Sequence, residues 1–446
     1  MKKVNKKFFL LTYGCQMNKN DSERIAGLLS CLGLTEAKKP SGADLLIINT
    51  CSVRQAAEDR VVGMILNWQE FRKTKPELII AVTGCLPGRD KDGSLKKKLE
   101  GVDLFFGIEE LPILPRWLGG LWGIEEWLHA PTTDYLEIEP KRKSQSQAFI
   151  TIQTGCNNFC TYCVVPAARG REKNRRVNKI LEEIEDFVAG GGREVTLLGQ
   201  VVNHYIAPDP EKFDQNNPFK GKDDFAALLW EVNQIAGDFR VHWTAADPQY
   251  FSDYQIEALK LPKQVNYLHL PAQSGDNEIL KKMNRHYTRE EYLNLVKKIR
   301  LARPEMAIGT DLVLGFCGED EEQFQHTVDL FRQCDFDIAY QAMYSERSGT
   351  VAAKVFVDDV SHLEKKRRWQ VIQNLMEETT YRKNQKYLHQ IVEVLVDKCE
   401  QGVCSGNSRE MKLVRFTGDQ SLAGKMVKVQ ITQAKIWLLL GKIFTL

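Results

Sequence analysis

Ten residues, Thr154–Cys163 (TGCNNFCTYC), place Cys156, Cys160 and Cys163 in a C-x3-C-x2-C cluster with no fourth cysteine nearby. Structural zinc closes its tetrahedron, so zinc here would need a ligand from elsewhere, such as His204 or His242. An iron–sulfur cube offers a different solution, because three thiolates can hold three irons and leave the fourth open to a non-protein ligand. A second set of cysteines is dispersed. Cys15, Cys51 and Cys85 close the runs YGC, NTC and TGC, each directly after an apolar stretch. One such cysteine alone reads as a small buried core residue. Three in the same context read as a site. The total of eleven is odd, and the chain is long and carries no secretory leader, which favours metal binding over a disulfide framework.

The elements that must position these cysteines follow from the apolar pattern. FFLLTYG (Phe8–Gly14), DLLIINT (Asp44–Thr50) and ELIIAVTG (Glu77–Gly84) are continuous apolar runs, as parallel strands buried on both faces should be. Helix-compatible segments, Asp21–Cys31 and Glu58–Lys73, lie between them, so a doubly wound α/β domain is expected. In such sheets the carboxyl ends of the strands border the ligand crevice, and that is where all three cysteines fall. Trp117–Lys143 is mixed and ends in KRK, and reads as a linker.

Six further strand candidates follow: AFITIQ (Ala148–Gln153), EVTLLG (Glu194–Gly199), FRVHWT (Phe239–Thr244), VNYLHL (Val265–Leu270), AIGTDLVLG (Ala307–Gly315) and IAYQAMYS (Ile338–Ser345). Helices separate them; one opens with a capping box, Thr288 with Glu291. Six such units predict an open (β/α)6 barrel, and the cysteine cluster after its first strand falls at the face where barrel active sites lie. Pro208–Asp224 reads as a surface loop and Ser361–Gln390 as a long charged helix. From Ile391 the pattern changes to short strands (IVEVLV, KLVRF, KMVKVQIT, IWLLLGKIF), which predicts a small all-β barrel of the oligonucleotide-binding kind. From Tyr381 onward there are eleven Lys and Arg against five Asp and Glu, a net +6 in a chain whose total is +2. That is the footprint of a phosphate-backbone contact, or of a merely soluble basic domain. The resulting division is 1–140, 141–378 and 379–446. No run approaches the ~18 apolar residues of a membrane span, and the apolar part of the amino end, Phe8–Leu11, is too short for a signal peptide.

The cluster, with Tyr162 before its last cysteine, resembles that of the radical S-adenosylmethionine (radical SAM) enzymes. The resemblance narrows along essentially the whole chain. YGCQMNKNDSE (Tyr13–Glu23), NTCSVRQAAEDRV (Asn49–Val61), VTGC (Val82–Cys85), CNNFCTYCVVPAARGRE (Cys156–Glu172), LLGQVVNHY (Leu197–Tyr205), HLPAQSG (His269–Gly275), TDLVLGFCGE (Thr310–Glu319) and YSERSGTVAA (Tyr344–Ala353) are similar to the methylthiotransferases. The terminal barrel resembles their RNA-binding TRAM module. GCQMN and NTCS resemble the branch that makes 2-methylthio-N6-isopentenyladenosine at tRNA position 37.

The resemblance implies two [4Fe–4S] clusters, one on Cys156, Cys160 and Cys163 and one on Cys15, Cys51 and Cys85, with S-adenosylmethionine on the open iron of the first. It implies two molecules of S-adenosylmethionine, one methylating a sulfur on the second cluster. The other yields a 5′-deoxyadenosyl radical that removes hydrogen from carbon 2 of the adenine. Gly199, Gln200, Gly309, Asp311 and Gly315, with Tyr162, match positions that line the S-adenosylmethionine pocket, although glycines there serve tight packing equally well. Arg169, Arg171, Lys173, Arg175 and Arg176 follow the cluster and would steer a tRNA anticodon stem-loop, with aromatic side chains stacking on a splayed base, or else form a solvated helix start. A cytoplasmic monomer is expected, and no residue pattern identifies its sulfur donor or electron donor.

The chain departs from the family pattern at Ala167, Ala168, Asn174, Ala245, Ala246, Leu86–Pro87 and Cys317, none of them an expected iron ligand. These leave nucleoside and cofactor contacts open. Cys31, Cys317, Cys334, Cys399 and Cys404 read as packing residues. Two alternatives stand beside this reading: the same chemistry on threonylcarbamoyl-adenosine or a ribosomal-protein aspartate, and a non-catalytic metal-stabilised RNA-binding protein.

Overall fold

The computed structural model describes residues 4–51 and 55–444, the side chains of 55–59 excepted. Residues 52–54 of the NTCSVRQAAEDRV motif therefore lie outside the described residues, as do 1–3. The chain forms two compact units: Met1–Lys143 with Thr154–Phe159 and Cys163–Lys173, and Ser144–Gln153 with Cys160–Tyr162 and Asn174–Leu446.

The first unit is built on five parallel strands, β1 (Lys7–Tyr13), β2 (Thr35–Glu36), β3 (Leu45–Thr50), β4 (Ile79–Gly84) and β5 (Leu104–Phe105), in the order β2-β1-β3-β4-β5. Every residue of β3 and β4 is buried, because alternate side chains enter separate cores on the two faces. Leu45 and Ile47 pack with Ile25, Leu29 and Leu118; Leu46 and Ile48 pack with Val61, Ile65 and Trp68. That two-sided burial is the physical origin of the continuous apolar runs. The strand order reverses direction between β1 and β3, which makes their carboxyl ends the topological switch point where such sheets bind ligands. Trp117–Lys143, expected to be a linker, is largely part of this unit. It contributes the helices Leu114–Trp122 and Glu125–Leu128, and Trp127, Tyr135 and Leu136 are buried in the core. These helices are too short and glycine-rich to show a period in the sequence.

The second unit contains β6 (Gln147–Thr151), β7 (Glu194–Leu198), β8 (Arg240–Trp243), β9 (Tyr267–His269), β10 (Ala307–Leu314) and β11 (Ile338–Met343), all pairing in parallel. They form two triplets, β8-β7-β6 and β9-β10-β11, joined by a parallel bridge from Val241 to Gln264. This is the open six-stranded β/α barrel expected. The helix Arg289–Ala302 begins with the Thr288–Glu291 capping box, and Ser361 caps the 24-residue helix His362–Gln385. The loop between Pro208 and Asp224 is anchored rather than free, since Phe213 and Phe219 enter the barrel core.

A closed barrel ends the chain: β12 (Ile391–Glu400), β13 (Val403–Ser408), β14 (Leu413–Thr417), β15 (Met426–Ala434) and β16 (Leu439–Ile443), ordered β12-β13-β14-β16-β15. It has one more strand than the apolar pattern predicts. β13 (VCSGNS) shows no apolar alternation, and its Gly406 has no room for a side chain, as a Cβ would lie 1.9 Å from the Leu395 carbonyl. Cys399 and Cys404 pack in the barrel core as expected and also pair across the β12–β13 hairpin as a disulfide, whereas Cys31 is exposed, so the packing role expected of it is corrected. Cys317 and Cys334 are buried. No helix among the described residues is long and apolar enough to cross a membrane.

Within this unit the terminal barrel is tied to the β/α barrel through Asp337. Its carboxylate meets Lys383 Nζ at 2.8 Å and Lys412 Nζ at 3.3 Å and accepts from the Ile308 amide at 3.0 Å. Burial alone would raise the Asp337 pKa, but Lys412 and Lys383 outweigh it and hold the carboxyl below its ordinary range. Asp337→Ala would leave the buried Lys383 ammonium with only the more exposed Asp335 carboxylate at 3.3 Å and is expected to cost up to about 3–5 kcal/mol, read from the urea midpoint.

Candidate functional site

The dispersed cysteines converge in the first unit. Cys15 follows β1 and caps the helix Gln16–Cys31, Cys51 follows β3, and Cys85 opens a short helix, Cys85–Arg89, after β4. Cys51 hydrogen-bonds through its thiol to both Cys15 and Cys85. That contact draws the Cys15 and Cys85 thiols down to about 6, in Cys85 against its full burial, and pushes the Cys51 thiol up. The bends that allow this are made by glycine. Gly14 (φ +149°) and Gly84 (φ +97°) directly precede two of the cysteines. A Cβ at Gly84 would sit 2.5 Å from both Asn49 Oδ1 and the Thr50 carbonyl, and one at Gly14 2.7 Å from the Cys51 Cβ. Beneath them a buried amide network locks the strand ends. Asn49 Nδ2 donates to the Asn18 carbonyl (2.8 Å) and Ser22 Oγ (3.0 Å), and Asn18 Nδ2 to Asn49 Oδ1 (3.1 Å).

A short helix, Val165–Arg169, packs on Cys85–Arg89 in the same unit so closely that a Cβ on Gly88 would lie 2.1 Å from the Ala168 carbonyl oxygen. The family departure at Ala168 thus lies at a tight backbone contact. The packing brings the Arg169 guanidinium near enough to Cys85 for its charge to help lower the thiol's pKa. Arg169 and Arg175 are consequently not free to meet RNA: Arg169 is 2% exposed and paired with Asp21 at 2.5 Å, and Arg175 is paired with Glu183. Arg171, Lys173 and Arg176 are exposed.

On the clustered loop each sulfur receives an N–H. The Asn158 amide donates to Cys156 Sγ (3.4 Å) and the Val165 amide to Cys163 Sγ (3.5 Å); in the second unit Arg285 Nη1 donates to Cys160 Sγ (3.4 Å). Donors of this kind can hydrogen-bond the sulfurs that would hold an iron–sulfur cluster. Gly155 (φ +74°) precedes Cys156 as Gly14 and Gly84 precede theirs, and its Cβ would strike the Arg171 carbonyl at 2.1 Å. Among the described residues no three His, Cys, Asp or Glu side chains form a single-ion site. A cube does not ask for one, because each of its thiolates holds a different iron. Three converging thiols, donors aimed at sulfur and a buried guanidinium fit such an anionic group. His204, lying on the Tyr250 ring at 4.0 Å, and His242, against Tyr267 with its pKa pushed by burial down to about 3, are engaged elsewhere.

The other expected site residues are distributed through the second unit. Tyr162 meets Phe316 edge-on at 6.4 Å. Gly199 faces Gln153 and Val202, and the buried Gln200 Oε1 has no partner. Gly309 and Gly315 have packing reasons to be glycine: a Cβ would meet the Tyr267 hydroxyl at 2.1 Å and Lys365 Cγ at 2.4 Å, respectively. Asp311 pairs with His269 Nε2 at 3.2 Å, and His269 Nδ1 meets the Tyr267 hydroxyl at 3.1 Å. Sequence reasoning missed Tyr267 and His269 as a polar pair inside the barrel, although their i, i+2 spacing on a strand placed them on one face. It missed Arg285 too, paired with Asp247 at 3.0 Å, and no local pattern signals it. Ala245, a departure from the family pattern, takes a left-handed backbone (φ +66°) two residues before Asp247.

Residues 7–107 match the uncharacterized protein family UPF0004, and residues 150–331 match the Radical SAM superfamily. A tRNA-2-methylthio-N(6)-dimethylallyladenosine synthase of Carboxydothermus hydrogenoformans is 41% identical, over 98% of this chain and 99% of its own. The protein of the same name from Geobacillus thermodenitrificans is 40% identical, over 98% of this chain and 83% of its own. Among solved structures, the radical S-adenosylmethionine methyltransferase TsrM from Kitasatospora setae, with cobalamin and a [4Fe-4S] cluster bound, is 14% identical. It aligns over 78% of this chain and 74% of its own, with a TM-score of 0.56. The cobalamin-dependent S-adenosylmethionine radical enzyme OxsB aligns at a TM-score of 0.53 and 10% identity, over 84% of this chain and 57% of its own. These two likenesses are of fold.

Gly84→Ala forces a side chain onto a left-handed backbone and into the Thr50 carbonyl, and is expected to cost about 1–3 kcal/mol. Gly42→Ala, where nothing lies within 4 Å, should stay within about 0.5 kcal/mol of the parent. Urea unfolding of the two variants checks the contrast.

Proposed function

The chain belongs to the tRNA-2-methylthio-N(6)-dimethylallyladenosine synthase family, and from that membership we propose that it joins a methylthio group to carbon 2 of N6-isopentenyladenosine at tRNA position 37. It is an enzyme, a radical SAM methylthiotransferase of tRNA, with an iron–sulfur cluster and S-adenosylmethionine as cofactors. The observation that carries the substrate reading is the length of the match. It runs over 98% of this chain and 99% of the relative's, so the resemblance extends through the α/β unit and the terminal barrel and is not confined to the radical SAM segment.

Cys156, Cys160 and Cys163 would hold one [4Fe–4S] cluster and Cys15, Cys51 and Cys85 a second. A cube held by three thiolates supplies an open iron and an electron for the cleavage of S-adenosylmethionine. The chain's own residues prepare both sites. Backbone amides of Asn158 and Val165 and the Arg285 guanidinium stabilise the thiolates of the clustered loop, and Asp247 fixes Arg285. Tyr162, Gly199, Gln200, Gly309, Asp311 and Gly315 are assigned to the S-adenosylmethionine pocket. The unpartnered Gln200 Oε1 and the part-exposed Asp311 carboxylate support that assignment through groups able to take a ligand; the glycines support it less, given their packing neighbours.

Three functional regions, 1–140, 141–378 and 379–446, divide the work as auxiliary-cluster domain, radical SAM barrel and RNA-binding barrel. In the first unit the exposed Arg171 and Lys173 would attract an anticodon stem-loop; in the second, the exposed Arg176 and the exposed lysines of the terminal barrel would do so. Phe159 and Tyr340, 48% and 56% exposed, offer faces on which a splayed base can stack. The protein would act as a monomer, and a tRNA substrate places it in the cytoplasm.

Mass spectrometry of tRNA nucleosides tests this in a host lacking its own methylthiotransferases. 2-Methylthio-N6-isopentenyladenosine is expected with the intact chain and absent with Cys156→Ala. Isopentenyladenosine left unmodified by an iron-loaded chain would refute the substrate. In parallel, anaerobic reconstitution should load roughly eight irons per chain, and roughly four when Cys15, Cys51 and Cys85 are all alanine.

A further inference from the structure

The first unit buries an ion pair that ligation alone does not call for. Arg169 and Asp21, 2% and 1% exposed, lie 148 residues apart in sequence and meet through one nitrogen and one oxygen, Nη2 and Oδ2, at 2.5 Å. The pair is single-stranded where a guanidinium and a carboxylate could form two parallel bonds. Arg169 Nη1 is left buried without a hydrogen-bond partner. An unpartnered buried N–H on a cation is costly unless something absent from the bare chain occupies its direction. Arg24, another buried arginine of this unit, is by contrast bonded to Asn20 and to the Leu136 and Ile138 carbonyls.

The place of Arg169 indicates what that partner is. Its helix is pressed on the Cys85 helix with no room for a side chain at Gly88, and its guanidinium charge acts on the Cys85 and Cys15 thiols. A [4Fe–4S] core of charge 2+ on three thiolates carries a net negative charge, and an anionic sulfur on the open iron adds to it. Buried anions of this kind need a fixed counter-charge.

We propose that Arg169, held from behind by Asp21, is a positioning residue for the anionic sulfur ligand of the auxiliary centre, hydrosulfide or a methylthiolate, which it orients through its free N–H. This rests on Cys15, Cys51 and Cys85 holding a cluster. The same charge raises the reduction potential of that centre, since a nearby cation favours the more negative state.

The test uses the full chain with Cys156, Cys160 and Cys163 changed to alanine, so that the auxiliary centre alone remains. Sodium hydrosulfide is titrated anaerobically and followed by Mössbauer and electron paramagnetic resonance spectra, alongside a redox titration. Arg169→Gln should keep its irons, bind hydrosulfide about tenfold more weakly or worse, and show a lower midpoint potential. Arg169→Lys, which keeps the charge without the planar fork, should restore most of the potential and only part of the affinity. The double variant Arg169→Gln with Asp21→Asn removes both buried charges and so leaves neither stranded, and it should lose affinity as Arg169→Gln does. Unchanged hydrosulfide affinity in an iron-loaded Arg169→Gln chain, or in the double variant, overturns the proposal. A three-alanine chain that loads no iron at all overturns the auxiliary-cluster reading, and this proposal with it.

Discussion

Three sulfurs drawn from positions 15, 51 and 85 must meet at one point, and they would repel one another as thiolates. The parallel sheet solves the first problem by register: Tyr13 lies opposite Thr50, and Thr50 opposite Gly84, so three successive strands stop at the same level. A cysteine follows each stop, directly after Thr50 and Gly84 and one residue later after Tyr13, where Gly14 intervenes. Gly14 and Gly84 then turn the chain through backbone angles that other residues take at a cost, into space where a Cβ would collide with the neighbouring strand end. The amide ladder of Asn18 and Asn49 holds those ends together without titrating, and is thus indifferent to the charge on the sulfurs above it.

The second triad reaches a similar donor set by a different route. Its cysteines lie within eight residues, so proximity is covalent, and what must be supplied is the conformation of the loop and donors to its sulfurs. Gly155 gives the turn and two backbone amides give donors, while the third sulfur depends on Arg285, 125 residues away. In both triads, an arginine that is itself paired with a buried aspartate approaches one of the sulfurs, Arg169 with Asp21 in the first and Arg285 with Asp247 in the second.

What was legible in the sequence follows from which interactions are local. Strands buried on both faces announce themselves as unbroken apolar runs, and a C-x3-C-x2-C spacing is its own evidence. The strand-end context of Cys15, Cys51 and Cys85 made their convergence readable. Pairings over long separations were not readable. Arg169 and Arg175 stand among five basic residues and read as an RNA-facing run, because nothing near them reveals that Asp21 and Glu183 neutralise them inside the fold. The strand Val403–Ser408 was hidden for a related reason. Its place in the barrel depends on the close approach of Gly406 to Leu395, a backbone contact that leaves no apolar pattern.

The basic charge of the terminal barrel divides in a way that composition could not show. Lys383 and Lys412 turn inward to Asp337, and Arg409 donates to the Pro262 and Gln264 carbonyls, so these three join the barrel to the rest of its unit. Arg415, Lys425, Lys428, Lys435 and Lys442 remain exposed on its strands and turns. A phosphate backbone is attracted by charge without regard to direction, so a basic module on a loose tether would bind RNA in many orientations. Fixing the module with part of its own charge leaves fewer cations for RNA but gives those that remain a defined position relative to the barrel strands. An enzyme that must bring one atom of one base to its reacting centre gains from that exchange, because positioning by phosphate contacts is only as accurate as the scaffold that holds them.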